Sequence, residues 1–206
     1  MVHQPTIMQR RKLIKVLGIS AFAASVSGFK LIKGEAAIET DCATSTDMLG
    51  PFFREGAPWR NDISYTGNNT EVPLKVIGHV FGSDCKEPLK NVELDVWHCD
   101  HKKKYDMDSD EFRCRGKIKT DENGAYWFKT FMPPPYAGRP KHIHYLIDGV
   151  NGYQRLATQL YFKGDPKIKP NNWVKYRWDE KRILEVYNNE ENYAEVKLDL
   201  YLTAEE

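Results

Sequence analysis

His142 and His144 stand one residue apart in GRPKHIHYLI, a run that otherwise has the composition of a buried strand. Successive side chains on a strand point to opposite faces, so the two imidazoles project together while Ile143 projects the other way. Paired in that way they can chelate one metal ion, and taken alone they suit zinc, copper or non-haem iron. The usual iron(II) facial triad adds a carboxylate to two histidines, and the His-Ile-His run offers none beside it. Tyrosines are placed there instead. Tyr136 sits six residues before His142, beyond Pro133-Pro134-Pro135, whose fixed φ stiffens the approach. Tyr105 lies eight residues past Trp97, and Arg139 falls between Tyr136 and the first histidine.

The elements that must position these groups read as strands. From about residue 72 the chain alternates in period two, with turn signals between the runs. The pattern predicts strands over 72–81, 92–99, 116–120, 125–131, 142–147, 156–162 and 195–202. Asp121-Glu122-Asn123-Gly124 is expected to close a hairpin onto the strand at 125–131, because Asn-Gly supplies the positive φ a tight turn requires. Helical periodicity shows only over 179–187. Short strands at this spacing predict an all-β fold, an antiparallel β-sandwich with long loops at 38–71 and 166–177. In those loops Gly50-Pro51-Phe52-Phe53 and Ala57-Pro58-Trp59 read as anchors. Trp97, Tyr126 and Phe128 are expected in the core, and His98, His101 and Tyr145 are expected to be structural. Lys102-Lys103-Lys104 reads as a solvated turn.

The 206 residues carry a formal net charge of +1, unevenly placed. Residues 1–37 hold six basic residues and one acid, which leaves the remainder with 24 basic and 28 acidic residues. That balance gives nucleic-acid binding no support. Arg10-Arg11-Lys12-Leu13-Ile14-Lys15 followed by the weakly apolar, Ala/Ser/Gly-rich stretch 17–29 resembles a bacterial twin-arginine export signal. The stretch is too short and too diluted by Gly and Ser for a stable membrane span. The chain therefore divides into a signal at 1–37 and one domain at 38–206, with a periplasmic destination. Such a route exports proteins already folded, which suits a chain that loads its cofactor in the cytoplasm. Cys42, Cys85, Cys99 and Cys114 suggest two disulfides in an oxidising compartment. Cys99 and Cys114 flank a long hairpin loop, which favours that pair. A zinc site on His98, Cys99 and His101 is disfavoured, since His98 and Cys99 face opposite sides of a strand.

Three stretches carry a more specific signal. ELDVWHCDHKKKYD, FRCRGKIKTDENGAYWFKTFMPPPYAGRPKHIHYLI and LATQLYFKGDP hold W-x7-Y, RG-x3-TD-x2-G-x-Y-x-F-x-T, Y-x2-R-x2-H-x-H and TQLYF, in that order. Over roughly residues 50–165 the chain resembles the intradiol ring-cleavage dioxygenases, the family of protocatechuate 3,4-dioxygenase and catechol 1,2-dioxygenase. The resemblance implies a prealbumin-like (transthyretin-like) sandwich and one Fe(3+) per chain, held by Tyr105, Tyr136, His142 and His144. It implies a catechol-type substrate and O2, and a cis,cis-muconate-type diacid as product. Tyr136 would be the tyrosinate that leaves the metal and takes a substrate proton, and Tyr105 the one that stays. Arg139 would be the cation facing the substrate ring, and Gln159 a hydrogen-bonding group beside it. The chemistry of the residues agrees, since phenolate oxygen is a hard anionic donor and Fe(III) can hold a tyrosine deprotonated far below its ordinary pKa of about 10.

The chain also departs from the family pattern. Only Ala137 and Gly138 separate Tyr136 from Arg139, where catabolic members commonly carry a longer insertion, and this short form is similar to exported members. The helical dimerisation region of catechol 1,2-dioxygenases has no counterpart before the first strand, although a homo-oligomer stays possible. Asp47-Met48 replaces the residues that relatives often carry before Gly50-Pro51. Two other readings stand beside the enzyme: a metal-free transthyretin-like binding or adhesion module, and a zinc or copper protein using the histidines alone.

Overall fold

The chain forms two packed β-sheets in a computed structural model that describes residues 42–65, 71–150, 152–169, 179–188 and 193–205. The expected export signal lies outside the described residues. Among the described residues no helix is long and apolar enough to cross a membrane.

One sheet is built on β1 (Pro73–Phe81), which pairs antiparallel with β4 (Ala125–Phe131) from Pro73↔Phe131 to His79↔Ala125. The other runs β3-β2-β5-β6-β7, with β2 at Glu93–Trp97, β3 at Arg115–Lys119, β5 at His142–Ile147, β6 at Leu156–Phe162 and β7 at Ile183–Leu184. Alternation decides what lies between the sheets. Leu74, Val76 and Val80 of β1 meet Leu94 and Val96 of β2, Ile143 and Ile147 of β5, and Phe128 of β4 in one core. Tyr126 closes the polar end of this core by donating its hydroxyl to the Leu198 carbonyl at 2.7 Å.

All-β layering follows the expectation, and four details differ. First, the sheets are mixed. β9 (Ala194–Lys197) and β10 (Leu200–Tyr201) lie parallel to β1, and β7 lies parallel to β6. Short β8 (Tyr187–Asn188) adds antiparallel to β9. The expected strand over 195–202 is therefore split, because Leu198 turns its carbonyl onto β1 at Gly78. A Cβ there would sit 1.8 Å from the Leu198 oxygen, so only glycine admits the jog. Second, the Asn-Gly turn does not close a hairpin. β3 pairs with β2 in one sheet and β4 with β1 in the other, so the turn carries the chain between layers. Asp121 Oδ1 accepts from the amides of Asn123 and Ala125 at 2.8 and 2.9 Å, and Val80 N–H donates to the Gly124 carbonyl at 2.9 Å. Those bonds hold the turn to β1 rather than to β3. Third, 179–187 is not helical beyond a single 3-10 turn at Glu180–Arg182, capped by Asp179 Oδ1 accepting from Lys181 N at 2.9 Å.

The fourth difference is the disulfide. Cys42 pairs with Cys85, while Cys99 and Cys114 are free and buried. The β2–β3 register explains the failure of the expected pair: beyond Trp97↔Arg115 it is His98 N–H that donates to the Cys114 carbonyl, at 3.1 Å. The Cys99 thiol points instead to the Pro134 carbonyl, at 3.6 Å. The observed bond ties the segment at 42–53, which runs over the second sheet, to the turn after β1, across a sequence separation of 43. A loop of that length corresponds to about 4 kcal/mol of unfolded-chain entropy. The Cys42→Ser/Cys85→Ser variant is expected to lose about 2–4 kcal/mol in denaturant unfolding; an unchanged midpoint would contradict a bond formed in the native protein.

His98 is structural, as expected. Its Nδ1–H donates to the Cys99 carbonyl at 2.8 Å and its Nε2 accepts from the Thr130 hydroxyl at 2.6 Å. Burial lowers its pKa from 6.5 to about 4. On acidification the unfolded chain takes up a proton near pH 6.5 that the native protein refuses until about pH 4. Stability from the neutral ring is thus complete above pH 6.5 and falls by about 3 kcal/mol as pH drops towards 4. Urea midpoints measured across this window should slope less in His98→Gln than in the parent.

Candidate active site

β5 is buried on both faces along its whole length. Ile143, Tyr145 and Ile147 enter the core, and His142 and His144 project from the opposite face. The registers place Trp97, His144 and Gln159 in one row across β2, β5 and β6, with Tyr161 opposite His142. Trp97 is buried as expected, but on this outer face. Its ring stacks on His144 with centroids 4.9 Å apart and planes 8° from parallel, so it buttresses that imidazole.

The β2–β3 loop brings Tyr105 over the histidines. Its Oη lies 3.0 Å from His142 Nε2 and 3.2 Å from His144 Nε2. The ring of Phe52 stacks on Tyr105 at 4.3 Å and meets Tyr136 edge-on at 5.5 Å, while the two tyrosine rings stand 5.1 Å apart. Tyr136 and Arg139 are linked by a tight turn: Arg139 N–H donates to the Tyr136 carbonyl at 2.7 Å, with Ala137 at φ 46° and Gly138 at φ 81°. Positive φ at both central residues is the I′ geometry. The short spacing thus makes Tyr136 and Arg139 one rigid unit. Arg139 Nη2 donates to Gln159 Oε1 and, at 3.4 Å, to Tyr161 Oη.

Burial sets the protonation states. It lowers the His142 pKa to about 4, with the Arg139 charge adding to the effect, and it pushes His144 well below the ordinary value. Both rings are therefore neutral at pH 7. His142 Nδ1–H donates to the Pro140 carbonyl at 2.7 Å, which leaves Nε2 with its lone pair facing Tyr105. Burial also raises the Tyr105 phenol well above its ordinary range, so a tyrosinate at this position requires a cation beside it.

These residues fit a metal. Two donors about 2.1 Å from one ion at right angles stand about 3.0 Å apart, close to the separations of Tyr105 Oη from the two Nε2 atoms. The donors gathered here are phenol oxygens and neutral imidazoles. The structure brings Tyr105, His142 and His144 into mutual contact, sets Tyr136 against Tyr105, and joins Arg139 to Gln159. Among the described residues no group of three or more His, Cys, Asp or Glu is placed to hold a metal.

Other residues of the site carried little signal in the sequence. Gly50-Pro51-Phe52-Phe53 read as a loop anchor, yet Phe52 walls the two tyrosines and Phe53 packs on Trp97 at 5.4 Å. Phe53 also lines a separate cleft of about 470 Å3 further along the same strands, with Asp95, Lys117 and Leu146. Asp47 and Arg182 meet beneath Tyr161, and nothing in their spacing of 135 residues announces the contact.

A family model described as dioxygenase matches residues 48–204. Catechol 1,2-dioxygenase 2 of Acinetobacter lwoffii is 29% identical over 174 residues, covering 73% of this chain and 59% of its own length. The dioxygenase domain of a dioxygenase carbohydrate-binding protein fusion from Streptomyces sp. SirexAA-E superposes with a TM-score of 0.66 at 34% identity, covering 79% of this chain and 99% of that one. 3-Chlorocatechol 1,2-dioxygenase from Rhodococcus opacus 1CP gives 0.67 at 26% identity, over 81% and 74%. The chain spans about three fifths of the length of the curated relatives it matches first. With the matched region reaching across nearly the whole described domain and containing every residue assembled around Tyr105, the chain belongs to the intradiol ring-cleavage dioxygenase family.

Proposed function

We propose that this chain is an exported, Fe(III)-dependent intradiol dioxygenase that opens a catechol-type ring with O2, placing both oxygen atoms in a cis,cis-muconate-type diacid. The observation that carries the reading is the approach of Tyr105 Oη to both histidine Nε2 atoms, at 3.0 and 3.2 Å. Relatives named for catechol and chlorocatechol support the substrate class. Fe(III) held by Tyr105, Tyr136, His142 and His144 would act chiefly as a Lewis acid that makes a bound catecholate electron-rich enough to meet O2.

The chain's own groups supply the rest. His142 and His144 are held neutral by burial, so they donate lone pairs without adding charge. Tyr136 is less buried than either histidine, and its Oη takes one of the two protons that catechol must lose. Were Fe(III) held here, Tyr105, Tyr136 and one hydroxide would offset its three positive charges; with the hydroxide taking catechol's other proton, one tyrosinate and a catecholate dianion would leave the same balance. Neither state leaves an isolated buried charge, which would be costly. Arg139 presents a permanent positive charge toward the ring as negative charge builds there. Phe52 covers Tyr105 and limits water beside it.

The iron-loaded protein is expected to be burgundy from tyrosinate charge transfer. Tyr105→Phe and Tyr136→Phe should each shift that band, and His142→Ala should lower bound iron several-fold. A protein without that band, binding zinc or copper through the histidines alone or no metal at all, would return the domain to the other two readings. Oxygen uptake across catechol, protocatechuate, hydroxyquinol and larger plant phenolics then identifies the substrate. The Arg10-Arg11 leader and the Cys42–Cys85 disulfide support an oxidising destination. In cells making the Arg10→Lys/Arg11→Lys chain, fractionation should find the protein retained in the cytoplasm; undiminished export would remove the twin-arginine assignment.

A further inference from the structure

Behind Arg139, on the far side of Gln159 and Tyr161, lies a buried ion pair. Asp47 and Arg182 are each 1% exposed at the side chain, and Arg182 Nη1 donates to Asp47 Oδ2 at 2.8 Å. Arg182 is pinned by two further acceptors, the Gln159 carbonyl at 3.0 Å and Ser45 Oγ at 2.9 Å. Asp47 is held to β6 by its own N–H, which donates to the Ala157 carbonyl at 2.8 Å. A buried pair of this kind adds little net stability compared with apolar residues of the same volume. Its effect here is directional.

The hydroxyl of Tyr161 has a single proton, and the acceptors in its reach include Asp47 Oδ2 at 2.8 Å and Gln159 Oε1 at 3.2 Å. An ionised carboxylate is the stronger acceptor, so the proton goes to Asp47. Tyr161 Oη is then left with lone pairs toward Arg139 Nη2. Gln159 is oriented from the other side, since its Nε2 donates to the Met48 carbonyl at 2.6 Å and leaves Oε1 for the same Nη2. We propose that Asp47 and Arg182 are positioning residues for Arg139: by fixing the direction of the Tyr161 hydroxyl they give its guanidinium two acceptors, and so aim it at the substrate ring. This rests on the proposed dioxygenase reading for its effect on turnover. Without the Asp47 carboxylate the Tyr161 proton swings to Gln159 Oε1 and competes with Arg139 for that oxygen.

The test is a double-mutant cycle on Asp47→Asn and Tyr161→Phe in the iron-loaded protein, with catechol as the substrate probe. Each single variant is expected to lower kcat about tenfold while KM changes less than twofold, because the charge on Arg139 matters most as negative charge develops. The double variant should be no slower than Tyr161→Phe alone, since both act through one hydroxyl. Iron content and the charge-transfer band should match the parent in all three. Metal-free protein labelled with 15N-arginine supplies a readout independent of activity: restricted guanidinium rotation should give Arg139 separate Nη signals in the parent and a single averaged signal in either variant. Multiplicative losses in the cycle, or separate Arg139 signals retained in Tyr161→Phe, would overturn the proposal. Should Asp47→Asn fail to fold, Tyr161→Phe decides by itself, as it removes no charge. If the parent binds no iron, the dioxygenase reading fails and the nitrogen spectra still judge the positioning.

Discussion

A phenol oxygen kept uncharged by burial and held about 3 Å from each of two neutral imidazole nitrogens is the constraint around which the domain is arranged. Two imidazoles and a phenol in such a place are unfavourable unless something rewards their desolvation. Each is supported from behind: His142 by the Pro140 carbonyl, His144 by the face of Trp97, Tyr105 by the face of Phe52. The supports come from three separate parts of the chain, so the geometry exists only in the folded state. A cation is the natural counterpart, since it alone would satisfy both lone pairs and allow the phenol to ionise.

That arrangement explains why the second sheet is covered twice. Its inner face makes the hydrophobic core with β1 and β4, and its outer face is roofed by the segment at 42–53. Thr44 N–H donates to the Tyr201 carbonyl at 3.0 Å, and the Thr158 hydroxyl donates to the Ser45 carbonyl at 2.9 Å, so the roof is bonded to both sheets. The Cys42–Cys85 bond anchors its start. Sandwich and roof together bury His142 and His144 on a face the core does not use, and burial is where electrostatic interactions gain strength.

Charge is handled in the same way on the β6 side. Arg139 reaches the site from a rigid turn, and its far partners form a chain of bonds through Gln159 and Tyr161 to Asp47 and Arg182. The guanidinium is thus bonded to two neutral acceptors, the Gln159 amide oxygen and the Tyr161 hydroxyl.

Much of this was legible in the residues. Period-two alternation marked six of the strands, because one face of each meets the core and the sequence must repeat that fact every second residue. The paired histidines were legible because side-chain alternation along a strand is a local property, and local spacing survives in the sequence. The Asn-Gly turn shows the limit: its chemistry was correctly read as a tight turn, but whether the flanking strands pair with each other or with opposite sheets depends on what Val80 and Thr120 bond to, and those partners are distant. The same applies to the cysteines. Four thiols permit three pairings, and only the register of β2 on β3, which turns Cys99 toward Pro134, excludes the pair that looked nearest. What the sequence by itself determined was the all-β architecture and the identity of the chemical groups. The tertiary structure alone decided which strands run parallel, which thiols join, and how Asp47 and Arg182 come to lie under Tyr161, because each of these rests on contacts between segments far apart in the chain, where no short-range pattern records the partner.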